Sequence, residues 1–530
     1  MNRLIYSILI TFMVFCGCRC NGNLPNDSPA ALPSEDDEFA LIEGGEDVPS
    51  IEPVGCTRIA RVIGLTADGE NEPNPNKTWS RFGMASTDFG NMWDAGNGSV
   101  WAIFGDNFNN SGGDWLSNAI AITTDKDLSD GLYYDSMLWD RGTNKRKEII
   151  DPTSGEITCI PTGGFSVQTV VGRRQYVSYM SVKQWSVGGI ADNWACNHSE
   201  IVYSDDFGQT WTKSGVKWSG DGGFVQVAFV VRDDTVYMWG TPAGRFGQVR
   251  VARVPAKKVL DKSAWEYWDG ALWVNDESRA APVTSGTVSE MTVRYNTYFK
   301  RYMMMYLSVN QRKLVFRDAS DPQGDWSQEK IVTNGTYGPS IHPWFCDGKD
   351  LWFVSSSVTS NPGKSYDTWH IFLYHSKLHA DPQGFNMVWE AGFENEPDKP
   401  LSNLTLWDVN TSALTSHDAH GGSVSLKLGN SETGIWKDGC TQVIPVRKNT
   451  RYKVSGWMKS SIQGSTQSYI GVRIGDKVYD RNPALSTDGW TEAAIEFNSA
   501  ENTSLTVFFG TWGAPGLSVL ADDFCLTPVD

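Results

Sequence analysis

Between residues 57 and 388 the chain offers only short runs of alternating apolar and polar residues, and these runs recur. "SVWAIFGD", "RQYVSYMSV", "TVYMWGTP", "RYMMMYLSV", "DLWFVSSSV" and "WHIFLYHSKL" are each punctuated by Gly, Asn, Asp or Pro. A period of two marks strands with one buried face, and no long segment carries the 3.6-residue period of an amphipathic helix. Runs that read as the second strand of a hairpin begin near residues 99, 175, 235, 301 and 350. Spacings of roughly 50–75 residues suit four-stranded propeller blades. Five such units fill the interval, so the expected fold is all-β, with a five-bladed β-propeller. A pair of β-sandwiches is the competing arrangement, and regular hairpin recurrence counts against it. "SDDFGQTW", residues 204–211, matches the Asp-box pattern S-x-D-x-G-x-T-W, a turn between blade strands. Asp206 therefore reads as structural.

After residue 388 the texture changes. "VWEAGFENEP" opens a new unit and "LADDFCLTPVD" closes it, with "TRYKVSGWMKS", "SYIGVRIGD" and "TSLTVFFGTWG" alternating between them. Residues 389–530 resemble the β-jelly-roll carbohydrate-binding modules through "GFE", "SLKL", "YKVSGWMK" and "ADDFCL". That resemblance implies a structural calcium between the opening Glu and the closing Asp, which makes Glu394 and Asp523 candidate ligands through hard oxygen donors. Trp407, Trp436 and Trp512 either stack on sugar or fill the core.

The N-terminus reads as an export signal: Arg3, then the apolar "LIYSILITFMVF", which is short for a membrane span. "FCGC" follows and resembles a bacterial lipobox, with residues 1–18 as the lipoprotein signal and Cys18 lipidated and left as residue one; an ordinary secretory signal is the alternative. Residues 19–56, rich in Pro, Gly, Ser and acid, cannot bury enough surface to fold alone and read as a tether. The chain is therefore expected at the cell envelope, outer membrane or cell surface, held by lipid. A net charge of −17 disfavours a nucleic-acid partner. Cys56, Cys159, Cys196, Cys346, Cys440 and Cys525 are scattered singly, without zinc-type spacing. Cys440–Cys525 is the expected disulfide, with buried free thiols as the alternative.

The chemistry concentrates in "STDFGNMWDAGNGSVWAIFGDNF", residues 86–108. "AGNGS" is a turn signal whose Gly and Asn supply positive φ. If Gly96-Asn97-Gly98 form the loop, Asp88 and Asp106 are equidistant from residue 97 and directly opposed, with Cβ atoms about 5 Å apart. A two-residue loop would put them on opposite faces. Opposed carboxylates repel, and close pairs shift one another's titration, one up and one down. Glycoside hydrolysis uses such a pair, one protonated and one ionised. Backbone capping by each Asp is the structural alternative. Glu290, heading the strand "MTVRY", is either an edge residue or a third acid in the central cavity where strand starts converge.

At these residues "TDFG…GSVWAIFGDNF…GGDWLSNAIAITTD", "SEMTVRYN…RYMMMY", "GRFGQVRVARVP" and "YGPSIHPWF" together resemble the five-bladed-propeller endo-D-arabinanases, a glycoside hydrolase family long catalogued as a domain of unknown function. The resemblance spans residues 57–388. It implies hydrolysis of internal D-arabinofuranosyl linkages of D-arabinan without a catalytic cofactor, with Asp88 and Asp106 as the essential acids and Glu290 as a third member. Asn107 stands where Thr is expected after "FGD". Asn118, Arg245, Tyr337, His342 and Trp344 are candidate substrate contacts by bonding or stacking, each with a structural role as the alternative. The expected partners are the polysaccharide and, through the lipid, a membrane; a monomer is expected. A sialidase-like enzyme would need three clamping arginines and a Tyr nucleophile, and no such triad is evident. A surface glycan-binding lipoprotein without catalysis is the non-enzymatic rival.

Overall fold

The computed structural model describes residues 48–65, 73–109, 113–142, 145–309, 311–359, 368–381, 384–388, 390–393, 408–409 and 412–529. Cys18 and Glu394 lie outside them. Five sheets follow in sequence, each ordered from an innermost strand outward. The innermost strands are Asn91–Asp94, Thr158–Thr169, Gln226–Arg232, Met291–Asn296 and Tyr337–Ile341. The second strands are Val100–Phe104, Gly172–Gln184, Thr235–Thr241, Arg301–Ser308 and Asp350–Thr359, where the recurring apolar runs fall. This is a five-bladed β-propeller.

The ring closes non-covalently. Ile51–Ile63 is the outermost strand of the last blade and pairs antiparallel with Thr368–Ala380, from Ile51 opposite Ala380 to Ile63 opposite Ile371. Hydrogen bonds between the two ends of the propeller thus bind first and last blades, which a sheet with an open edge would not do. The strand starts at Ile51, inside the segment expected to be tether. Asp318 fastens this end: it accepts from Ser50 Oγ at 2.7 Å and pairs with Arg301 at 2.7 Å and Lys330 at 3.2 Å.

Large side chains wedge the blades apart. Trp93, Trp101 and Tyr179 fill the space between the first two, Trp218 and Trp265 the next, and Trp239, Tyr302 and Met304 the third. Toward the axis the strands approach closely: a Cβ on Gly164 would lie 2.4 Å from the Trp93 ring. In the Asp-box turn, Asp206 accepts from Ser204 Oγ at 2.8 Å and from Thr210 N and Oγ1 at 2.8 and 2.6 Å. It holds a turn.

The C-terminal strands form two five-stranded antiparallel sheets around one core, a jelly-roll sandwich. Met387 and Val388 pack into that core, ahead of the expected start at residue 389. The sandwich rests on the propeller through Tyr452, whose hydroxyl donates to Asp325 at 3.0 Å, and through Arg447, 3.3 Å from the same carboxylate. The expected Cys440–Cys525 disulfide is absent, and both thiols are free. Cys440 points into the core from one sheet, whereas Cys525 alternates to the outer face of the other. A sandwich about 10 Å thick separates such positions beyond disulfide reach.

Candidate active site

The first hairpin turns through three residues. Gly96 and Gly98 have φ of 72° and 81°, and Ala95 N donates to Ser99 O at 3.0 Å. Asp94 Oδ1 accepts from Gly96 N at 2.7 Å, and Asn97 Oδ1 from Ser99 Oγ at 2.6 Å, so the loop's side chains hold it shut. Pairing is symmetric about Asn97, from Asp94 opposite Val100 to Asn91 opposite Ile103. It resumes with Thr87 opposite Asn107 and Ser86 opposite Phe108. Between these segments Asp88 faces Asp106: Asp88 N donates to Asp106 O at 3.3 Å, and Gly105 N to Asp88 O at 2.9 Å. Phe89, at φ 60°, breaks the strand here. A bulky residue in left-handed backbone is uncommon and needs support. Phe89 N donates to Ser356 Oγ at 3.1 Å and its ring packs edge-on against Tyr337.

The innermost strands of all five blades run the same way, so their first residues gather at one mouth. Each carboxylate is therefore served by another blade. Asp106 Oδ1 accepts from Thr158 Oγ1 at 2.6 Å and Trp115 Nε1 at 2.9 Å. Asp88 Oδ1 accepts from the Tyr337 hydroxyl. Arg245 fills the mouth beside them, bonding Glu290 through Nη2 at 2.7 Å and Nε at 3.1 Å, and Asp192 through Nη1 at 2.6 Å. Its guanidinium lies over the rings of Trp194 and Tyr337.

Both acids titrate well above the usual carboxylate range. Burial pushes Asp106 up to about 7, Thr158 and Trp115 oppose the shift, and the charges of Asp88 and Glu148 add to it. Burial pushes Asp88 up to about 6; Tyr337 and Arg245 hold it down and Glu290 raises it. The expectation that one would rise and the other fall is corrected. Desolvation acts on both and outweighs their mutual repulsion. The order follows their surroundings: Asp88 has the Arg245 cation beside it, whereas the charges acting on Asp106 are the carboxylates of Asp88 and Glu148.

Among the other expected residues, Tyr337, Arg245 and Glu290 join this cluster. Glu290 has both oxygens engaged by one guanidinium, a poor arrangement for passing a proton. Asn118 is fully buried. Its amide nitrogen donates to Ile150 O at 2.9 Å and Cys159 O at 3.2 Å, and its oxygen accepts from Ile149 N and Ile150 N. It ties blade edges together and is closed to substrate. His342 and Trp344 lie beyond the far end of the strand whose first residue is Tyr337. Trp344 Nε1 donates at 2.9 Å to Asp94, at the turn end of the first hairpin, and His342 is fully buried. Five residues of strand span about 16 Å, so nearness in sequence put these residues at opposite mouths. Thr158, Trp115 and Asp192 were not singled out in the sequence; Thr158 heads an innermost strand as Glu290 precedes one, and the same argument finds it.

In the C-terminal sandwich Asp523 accepts from, or pairs with, His420 Nδ1 at 2.7 Å. The other expected calcium ligand, Glu394, lies outside the described residues, and among those no group of three or more His, Cys, Asp or Glu is placed to hold a metal ion. Trp436 and Trp512 do neighbour one another, rings 5.7 Å apart, with Trp512 40% exposed.

These features define a class: a propeller protein with an acid pair at its axial mouth and a sugar-module-type sandwich behind it. The chain belongs to the family described as "Domain of unknown function (DUF4185)", which matches residues 73–373. A "Carbohydrate binding domain" matches residues 386–515. The chain is similar to notoamide biosynthesis cluster protein J of Aspergillus sp. (strain MF297-2), 28% identical over 54% of this chain and 84% of that protein. It is also similar to protein J' of Aspergillus versicolor, 26% identical over 53% and 83%. Among solved structures, a putative hydrolase from Bacteroides ovatus ATCC 8483 has 14% identity and a TM-score of 0.41 over 56% of this chain and 86% of that one. An exo-beta-1,3-galactanase from Phanerochaete chrysosporium has 9% identity and a TM-score of 0.36 over 90% and 100%.

Proposed function

We propose that the chain is a glycoside hydrolase that cleaves internal D-arabinofuranosyl linkages of D-arabinan. The observation that carries this reading is the opposed pair Asp88 and Asp106, both raised toward neutrality at a mouth where five blades converge. Asp106, the more readily protonated, gives its proton to the leaving glycosidic oxygen. Asp88, steadied by Tyr337 and Arg245, acts as the carboxylate, either on water or on the anomeric carbon. Rate as kcat/KM should then peak between pH 6 and 7, with Asp88 ionised and Asp106 protonated. The C-terminal module, from about residue 385 onward, holds the polymer near the mouth. We also propose that Cys18 is lipidated and that the preceding segment is removed, which places the propeller at the cell envelope on a tether ending before Ile51.

The test is incubation with D-arabinan and, separately, L-arabinan, followed by chromatography of the products. Oligosaccharides released from D-arabinan alone, and not by Asp88→Asn or Asp106→Asn, support the reading; no release from either polymer sinks it. The relatives named for a biosynthesis cluster favour a second reading, acid–base chemistry by the same pair on a small molecule. That reading predicts an unchanged polymer in both incubations.

A further inference from the structure

Below the acid pair, the propeller axis contains a positive charge without a counter-ion. Arg294 projects from the innermost strand of the fourth blade. Its Nη1 donates to Val293 O at 2.9 Å and Phe229 O at 3.4 Å, and its Nη2 donates to Met92 O. Met92 belongs to the first blade and Phe229 to the third, so the guanidinium reaches across the channel. All its partners are neutral carbonyls. Among the described residues no carboxylate pairs with Arg294, and its Nε has no hydrogen-bond partner. Arg294 is half-buried with Nε enclosed, and a partly desolvated cation without a carboxylate partner is left uncompensated.

The cavity it lines adds two hydroxyl donors to the guanidinium. Thr292 Oγ1 accepts from Ile341 N at 3.2 Å and Ser340 Oγ from Met92 N at 2.9 Å, so each hydroxyl has its proton left to give. Both line the same cavity as Arg294, together with Thr162, and no carboxylate lines it. His342 supplies no compensation: it is fully buried, its Nε2 is unpartnered, and burial beside Arg294 keeps it neutral. The space has room for one small ion or water and none for a sugar ring. A cation with surplus hydroxyl donors and no acceptor charge is the chemistry of an anion hole.

We propose that the axial channel binds one small monovalent inorganic anion, of chloride size, against Arg294, Thr292 and Ser340. The ion neutralises the guanidinium and ties together the blades that contribute the donors, so it is a structural ligand of the ring.

The test uses the full chain. Melting is followed at constant ionic strength while sodium gluconate, whose anion is too large to enter, is replaced by sodium chloride or bromide. The melting temperature should rise with halide and saturate, by about 2.7 kcal/mol of linkage at a hundredfold excess over Kd. In Arg294→Met the rise should vanish. Crystals soaked in bromide should show an anomalous peak beside Arg294 of the unsubstituted protein, a readout that does not depend on the variant folding. A halide response that persists in Arg294→Met, or bromide-soaked crystals without a peak in the channel, overturns the proposal.

Discussion

Replacing Asp106 by Asn tests the acid pair through two readouts that should move in opposite directions. Asn keeps Oδ1, and with it the hydrogen bonds from Thr158 and Trp115. What it loses is the ability to ionise and to donate the proton. General-acid catalysis is worth on the order of 10²–10⁴-fold, so the rate on D-arabinan should fall at least about a hundredfold. Stability should respond the other way, and only at higher pH. An unfolded Asp titrates near 3.9; here the folded carboxyl titrates near 7. Between those values the folded chain holds a proton that the unfolded chain has released, so wild-type stability falls as pH rises through the window. Three units at 1.36 kcal/mol each give a loss of about 4 kcal/mol once pH exceeds 7. The Asn variant escapes that loss. It should melt with the wild type near pH 4 and several degrees above it at pH 8, measured by calorimetry beside reducing-end assays. A variant that melts earlier at pH 8 and still cleaves at near wild-type speed would show that Asp106 merely holds Thr158 and Trp115 in place and would refute the argument.

Tyr337→Phe removes the hydroxyl that holds Asp88 down, so the acid limb of the pH–rate profile should move to higher pH while the limb set by Asp106 stays put; rate measurements from pH 4 to 9 check this. Asn118→Ala leaves main-chain groups of Ile149, Ile150 and Cys159 unsatisfied, and should cost about 2–4 kcal/mol in denaturant melts with little change in KM. A chain ending at residue 384 keeps every strand of the propeller and should retain its rate on short oligosaccharides while losing rate on insoluble polymer. Radiolabelled palmitate should enter the wild type and be absent from Cys18→Ala.

Much of this protein is local, and the local part was legible. Alternation with a period of two, interrupted by Gly, Asn, Asp and Pro, is a property of neighbouring residues, so the strands and the five hairpins could be placed. The register of the first hairpin could be placed too, because "AGNGS" carries its own φ requirements and side-chain bonds, and symmetry about Asn97 opposes Asp88 to Asp106. What only tertiary structure decided depends on the direction of each strand around the axis and on burial. The closing strand at Ile51 is paired with residues more than three hundred positions away, and its own sequence, interrupted by Pro53 and Gly55, gives no sign of a partner. Tyr337 and His342 are five residues apart and lie at opposite mouths, because a strand along the axis converts sequence separation into depth. Asn118, a polar residue beside the motif, turned inward to bind main-chain groups that no pattern identifies. The titration of the pair was misjudged for the same reason. Charge repulsion can be read from which residues face each other, but desolvation depends on how much protein encloses them, and here enclosure raises both acids.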